Sequence, residues 1–242
     1  MFESGNFVLK PGSAAMSDCR QNGSTATHRS GERLPCSLRK VLCMEAGAII
    51  LAGGKSSRMG TNKTLLRLNK RTNIMIEADQ LKKYFATLIV VTNCPEDYSF
   101  LAASMVPDCF PGKGPLAGIH AGLIASPWEV NVVAAGDMPF LSGDLAVRMV
   151  RMIGDYDAVI PVIGGKRQPL FSVFKKRLAA AVGECLVQNR LRMTDVLDQL
   201  KVRYVTEEDF PTEPNGHLER VFFNMNTPDD YERAKQWVEG EY

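Results

Sequence analysis

The sequence predicts a single α/β domain with three layers, in which helices cover both faces of a doubly wound, mostly parallel sheet. Near-continuous apolar runs such as 88–92 (LIVVT) and 131–135 (NVVAA) are typical of strands that are buried on both faces. Segments with helical spacing alternate with these runs from residue 47 onward, as in a parallel sheet. The length of 242 residues suits one α/β domain or two small ones.

The predicted strands are apolar or alternating runs that end at turn residues: 48–52, 88–92, 131–135, 157–162, 168–174, 202–205 and 221–223. The predicted helices have one apolar face or a clear start signal: 74–85, 116–125, 142–153, 178–186, 194–200 and 228–238. In the first helix Ile74, Ala78 and Leu81 share a face. Ser142 is a good N-cap, and Pro228 lies in a first turn, where its missing N–H is not needed.

Parallel sheets bind ligands beyond the carboxyl ends of their strands. This rule assigns the loop 51–63, Asn93, Asp108 and Asp137 to one edge of the predicted sheet, because each of them follows an apolar strand. We therefore expect the functional site at that edge.

The loop after the first strand, LAGGKSSRMGTNK, has the properties of a phosphate-binding segment. Its glycines let backbone N–H groups approach a ligand closely: Gly53, Gly54 and Gly60. Its basic residues bring positive charge: Lys55, Arg58 and Lys63. The loop has neither the Gly-Lys-Ser/Thr end of a Walker A motif nor the spacing of a dinucleotide fingerprint. We interpret it as a polyphosphate site, with a solvated surface loop as the alternative.

Asp137 is the candidate metal ligand. It follows an apolar strand directly, and Met138-Pro139 then turns the chain away. Mg²⁺ binds through one or two carboxylates together with substrate phosphates and water, so a carboxylate at this edge suits nucleotide chemistry. A structural aspartate in a turn is the alternative.

Composition restricts the classes of partner. The formal net charge is +2, which gives no global field for nucleic acid or a membrane surface, and no apolar run is long enough to cross a bilayer. The six cysteines have no metal-ligand spacing and are expected to be reduced thiols of a cytoplasmic protein. Residues 1–43 are polar and lack periodicity, and we expect them to form a disordered extension before the domain 44–242.

The loop resembles the LxGGxSxRMGxxK signature of nucleotidyltransferases that act on sugar phosphates and on molybdopterin. Four further motifs follow in the order and spacing of the molybdenum cofactor guanylyltransferases (the MobA family): GPLAG at 114–118, GDMP at 136–139, QPLF at 168–171 and NMNTP at 224–228. The resemblance covers roughly residues 46–238. It implies a Rossmann-like fold of the nucleotide-diphospho-sugar transferase type.

The resemblance also implies an activity: transfer of GMP from GTP to the phosphate of molybdenum-molybdopterin, with Mg²⁺ as cofactor. It implies catalytic roles for Lys63, Arg58 and Asp137. The implied nucleotide-binding residues are Leu51, Ala52, Gly53, Gly54, Lys63, Asn93, Asp108, Gly114, Pro115, Leu116 and Asp137. The implied molybdopterin-side residues are Gln168, Pro169, Asn224 and Asn226. Other proteins of molybdenum cofactor biosynthesis and molybdoenzyme chaperones are implied partners, whereas nucleic acid and membranes are not.

Alternatives stay open from the sequence. A related nucleotidyltransferase could use CTP, or a sugar phosphate as acceptor, because a few base-pocket contacts decide between guanine and cytosine. A GTP-binding carrier would share the loop but would not release pyrophosphate. A structural α/β protein with a vestigial loop would not bind nucleotide.

Overall fold

The computed structural model describes residues 44–53, 62–211 and 217–240. The strands within these residues are β1 (Met44–Leu51), β2 (Arg67–Leu68), β3 (Arg71–Thr72), β4 (Phe85–Val91), β5 (Ser104–Val106), β6 (Val130–Ala135), β7 (Ala158–Ile163), β8 (Lys166–Arg167), β9 (Phe171–Lys175) and β10 (Val202–Val205). Strands β2 and β3 form a separate hairpin, and the others form one sheet in the order β5-β4-β1-β6-β9-β7-β10, with β8 beside β7.

The sheet is mostly parallel, as predicted. Strand β1 pairs in parallel with β4 and β6, β4 with β5, and β7 with β10. Strand β9 lies between β6 and β7 and is antiparallel to both. It therefore enters the sheet at the edge where the parallel strands end, which brings the segment before β9 to that edge.

The helices in the described residues are α1 (Asn73–Lys82), α2 (Pro115–Ala125), α3 (Gly143–Arg151), α4 (Leu178–Val187), α5 (Met193–Leu197), α6 (His217–Val221) and α7 (Pro228–Glu239). Short 3₁₀ turns are formed by Lys63–Leu65, Pro95–Tyr98 and Glu207–Asp209. Throughout the part of the chain that the structure describes, no helix has both the length and the apolar character required to cross a bilayer.

Two separate hydrophobic clusters show the three layers. Ile50 of β1 packs with apolar residues of α1 and α3 on one face of the sheet. Its neighbour Ile49 packs with residues of α2 and α4 on the other face. Successive strand side chains point to opposite faces, so a continuous apolar run supplies both clusters. The three-layer α/β prediction is confirmed.

One predicted strand is wrong. The run 221–223 (VFF) is not extended, because Val221 ends α6 and the next residues form a turn. The amide of Phe222 donates to the Leu218 carbonyl at 3.0 Å, and that of Phe223 donates to the Arg220 carbonyl at 3.1 Å. A short apolar run does not distinguish a strand from a buried helical turn, and here local hydrogen bonds determine the outcome.

Candidate active site

The carboxyl ends of four parallel strands lie level at one edge of the sheet. Leu51 of β1 pairs with Val91 of β4 on one side and with Ala135 of β6 on the other. Val91 in turn pairs with Val106 of β5. The segments that follow these strands therefore share an edge. This confirms the placement predicted for three side chains: Asn93, Asp108 and Asp137.

A buried tyrosine joins the two ends of the glycine-rich loop. The Tyr98 hydroxyl donates to the Ala52 carbonyl at 3.0 Å and accepts from Asn62 Nδ2 at 2.8 Å. It also lies 2.8 Å from Thr64 Oγ1, which bonds Asn62 Oδ1 at 2.7 Å. These contacts fix the positions of the residues on both sides of Lys63.

The interior of this loop lies outside the described residues. Two of the predicted site residues, Gly54 and Arg58, belong to it. Gly53 is the last described residue before it and is exposed.

Lys63 contacts a residue from the last predicted motif. Its Nζ donates to Asn226 Oδ1 at 3.1 Å, although the two residues are 163 positions apart. The Asn226 backbone is held in turn, because Asp230 Oδ2 accepts from the amides of Asn226 and Thr227 at 3.0 and 2.8 Å. Asp230 and Thr227 form the capping box of α7. The start of α7 thus positions a partner of Lys63.

Asp137 is half-buried beside Lys63. Burial raises the pKa of Asp137, the Lys63 charge opposes this, and the Asp230 carboxylate adds to it. Among the residues that the structure describes, the buried Oδ1 of Asp137 has no hydrogen-bond partner. Such a carboxylate oxygen, at the edge where phosphates are expected to bind, fits an Mg²⁺ ligand, since Mg²⁺ takes few protein ligands and leaves other positions to phosphate and water. No group of three or more acidic, His or Cys ligands occurs within the described ranges.

Two buried polar side chains of α1 hold the turn that contains Asp137, and neither was among the site residues predicted from the sequence. Glu77 Oε1 accepts from the Met138 amide at 2.7 Å. Asn73 Nδ2 donates to the Gly136 carbonyl at 2.8 Å and to Glu77 Oε1 at 2.7 Å. Burial raises the pKa of Glu77 well above its ordinary value.

Asn93 and Asp108 lie together at the other end of the edge. Asn93 Oδ1 accepts from the Asp108 amide at 2.9 Å, which joins the loops after β4 and β5. Asp108 Oδ1 accepts from the Phe110 amide at 2.7 Å. Both side chains therefore stabilise the loop 107–110, in addition to any contact they make with a ligand.

The GPLAG motif forms the start of α2. Gly114 has φ +73°, a conformation that favours glycine, and Pro115 is the first helical residue. Leu116 is buried and packs against Val182 and Leu186 of α4. A Cβ on Gly118 would lie 3.1 Å from Leu51 Cδ2, so the small residue lets α2 pack closely on the end of β1.

The two predicted molybdopterin-side segments both border the turn of Asp137. The Ala135 amide donates to the Leu170 carbonyl at 2.7 Å, so the residue after Gln168 and Pro169 lies at the end of β6, while the Gln168 amide donates to the Pro161 carbonyl of β7 at 2.8 Å. The Met225 amide donates to the Asp137 carbonyl at 2.9 Å. Met225 is buried. Its neighbours Asn224 and Asn226 line a cleft of about 410 Å³, together with the basic and aromatic side chains of Arg220, Arg233 and Trp237.

Comparisons with known proteins identify the family of this chain. The sequence model of one protein family, the MobA-like NTP transferase domain, matches residues 48–215. A probable molybdenum cofactor guanylyltransferase of Pelotomaculum thermopropionicum is 37% identical over 196 residues, which is 81% of this chain and 95% of that protein. The molybdenum cofactor guanylyltransferase of Desulfosudis oleivorans is 33% identical over 189 residues, covering 77% of this chain and 93% of that protein.

Solved structures show the same fold. Molybdopterin-guanine dinucleotide biosynthesis protein A from Archaeoglobus fulgidus superimposes with a TM-score of 0.70 at 26% identity, over 80% of this chain and 99% of that one. The 2-C-methyl-D-erythritol 4-phosphate cytidylyltransferase of Thermus thermophilus gives 0.59 at 17% identity, over 81% of this chain and 100% of that one, and supports the fold alone. The family match and the identity over most of the chain show that this protein belongs to the MobA-like NTP transferase family.

Proposed function

We propose that this protein transfers GMP from GTP to the terminal phosphate of molybdenum-molybdopterin and releases pyrophosphate, forming the molybdopterin guanine dinucleotide. The observation that carries the proposal is the contact of Lys63 with Asn226 beside Asp137. It joins the glycine-rich loop, the last motif and the carboxylate at one edge. Relatives that carry the guanylyltransferase name over most of the chain support the same activity.

The proposed nucleotide site runs along the sheet edge. The backbone of the loop would contact the phosphates, and the Asp108 carboxylate would accept N–H groups from the Watson–Crick edge of guanine. The full set of proposed nucleotide-binding residues comprises Leu51, Ala52, Gly53, Gly54, Lys63, Asn93, Asp108, Gly114, Pro115, Leu116 and Asp137. Gln168, Pro169, Asn224 and Asn226 are proposed for the molybdopterin side.

The chemistry requires positioning and charge neutralisation. An oxygen of the acceptor phosphate bonds to the α-phosphorus of GTP. The bond from that phosphorus to the α,β-bridging oxygen breaks, and the oxygen leaves in pyrophosphate with the electron pair. Lys63 and Arg58 offset the charge of the phosphates and orient them. Mg²⁺ bound by Asp137 would supply further neutralisation of the phosphate oxygens.

We expect purified protein incubated with molybdopterin, Mg²⁺ and GTP to form the dinucleotide and one pyrophosphate per product, with CTP much poorer. The readouts are chromatography of the dinucleotide and a coupled pyrophosphate assay, with GTP but no acceptor as control. Preferential use of CTP, or turnover only with a sugar phosphate, would identify a related nucleotidyltransferase instead. GTP binding without pyrophosphate release would indicate a carrier.

We also propose that the catalytic domain spans 44–242 and that 1–43 is dispensable. The match to the family model begins at residue 48. Deletion of 1–43 should leave kcat and the melting temperature unchanged, as measured by the pyrophosphate assay and by thermal unfolding of both proteins. A large loss of melting temperature would contradict the proposal. We further propose that the protein acts in the cytoplasm, with other cofactor biosynthesis proteins and molybdoenzyme chaperones as partners.

A further inference from the structure

The peptide groups on both sides of Asp137 are held by side chains of one helix. Asn73 donates to the carbonyl of Gly136 at 2.8 Å, and Glu77 accepts from the amide of Met138 at 2.7 Å. The two side chains also bond to each other at 2.7 Å. Because Asn73 and Glu77 are one helical turn apart, their backbone fixes the spacing of both contacts.

Strand β1 and the last motif each hold one further backbone group of this turn. The Gly136 amide donates to the Leu51 carbonyl at 3.0 Å, and the Asp137 carbonyl accepts from the Met225 amide at 2.9 Å. The backbone on each side of the Asp137 Cα is therefore bonded to a fixed element. This restricts the direction of the Asp137 side chain, whose Oδ1 has no partner in the described part of the chain.

The fold alone does not explain why α1 uses these residues. Both side chains are fully buried at 0% exposure, on the helix face that also carries Ile74, Ala78 and Leu81. Glu77 Oε2 and Asn73 Oδ1 have no hydrogen-bond partner within residues 44–53, 62–211 and 217–240. A buried polar group with an unsatisfied atom is destabilising, and an apolar side chain of similar volume would stabilise the core more.

We infer that Asn73 and Glu77 are positioning residues, which fix the turn of Asp137 so that its carboxylate is presented to Mg²⁺ and the nucleotide phosphates. This inference rests on the proposed function, because it assigns a role to Asp137. The two side chains do not contact substrate. They act through the peptide groups on either side of Asp137, as outer residues orient the ligands of other metal sites.

The test uses Glu77→Met, which keeps the buried volume but removes the acceptor for the Met138 amide. We expect kcat to fall between about ten-fold and a hundred-fold, with a similar rise in the Mg²⁺ concentration for half-maximal rate. GTP affinity measured in EDTA should remain that of the parent protein. Glu77→Gln keeps a carbonyl oxygen for both N–H donors and should restore kcat and the Mg²⁺ response.

Leu81→Ala is the matched control, because it destabilises the same buried face of α1 without touching the turn. It should lower the melting temperature and leave the Mg²⁺ titration unchanged. If Glu77→Met does not fold, Asn73→Ala carries the test, since it removes the donor to the Gly136 carbonyl at the first residue of the helix.

A combined variant separates positioning from loss of stability. In an Asp137→Asn background, Glu77→Met should cause little further loss of kcat, because both changes act on the same carboxylate. Independent losses, or a Glu77→Met titration identical to that of the parent, would overturn the inference alone. A parent rate that does not respond to Mg²⁺ would overturn the metal assignment and this inference with it.

Discussion

Lys63→Ala should remove nearly all nucleotidyl transfer while the protein stays folded. The Lys63 ammonium group follows the glycine-rich loop, contacts Asn226 and lies close enough to Asp137 to oppose the rise of its pKa. A cation at this position would neutralise phosphate charge in both the bound substrate and the transition state. We expect kcat/KM to fall by roughly a hundred-fold to a thousand-fold, the range found when one such stabilising group is removed.

The stability of Lys63→Ala should be close to that of the parent. The bond from Lys63 to Asn226 is exposed, and exposed polar contacts contribute little to the free energy of unfolding. Steady-state assays with GTP and thermal unfolding measure the two effects separately. Lys83→Ala, at the solvent-exposed end of α1, is the matched control and should leave both unchanged. Turnover by Lys63→Ala at the rate of the parent protein would refute the assignment of the glycine-rich loop to phosphate binding.

The sheet, and the edge at which its parallel strands end, were predictable because the sequence signals for them are local. A run such as 131–135 must be buried on both faces, and that requirement alone predicts β6 (Val130–Ala135). Once the strands are parallel, their carboxyl ends meet at one edge. The alignment of Leu51 with Val91 and Ala135 follows from this rule and needs no knowledge of the ligand.

Contacts between distant motifs were not predictable from one sequence. Nothing near Lys63 indicates that Asn226 will be its partner, because the start of α7 brings Asn226 into place. The same holds for Tyr98, which lies in a polar 3₁₀ turn and yet bonds both ends of the loop. Such contacts depend on how the elements pack.

The sequence did contain one signal for Glu77. The predicted apolar face of the first helix runs through Ile74, Ala78 and Leu81, and residue 77 lies within that face by helical spacing. A glutamate there must be buried, and a buried glutamate requires a partner. The structure supplies the Met138 amide and Asn73 as partners. A polar residue within an apolar face was therefore an available indication of the site.

Asp137→Asn tests the metal assignment most directly. Asparagine keeps the size of the side chain and an acceptor oxygen but removes the negative charge. Two anionic phosphate groups should meet beside Asp137, and a carboxylate alone would repel both of them. The carboxylate therefore helps only when a divalent cation lies between it and the phosphates. We expect Asp137→Asn to lose about 2–4 kcal/mol of transition-state stabilisation, seen as a large fall in kcat/KM.

The same variant should weaken the dependence of the rate on Mg²⁺, because the protein ligand of the cation has lost its charge. Folding should be preserved, since the bonds that join the turn to β1, α1 and Met225 do not involve this side chain. Asp144→Asn, exposed in the first turn of α3, is the matched control and should leave the Mg²⁺ titration unchanged. Titrations of the parent and both variants over the same Mg²⁺ range decide the matter. If the parent turns over without metal, or if the Asp137→Asn variant retains the parent titration, Asp137 is a turn residue and the phosphates are neutralised by Lys63 and its neighbours alone.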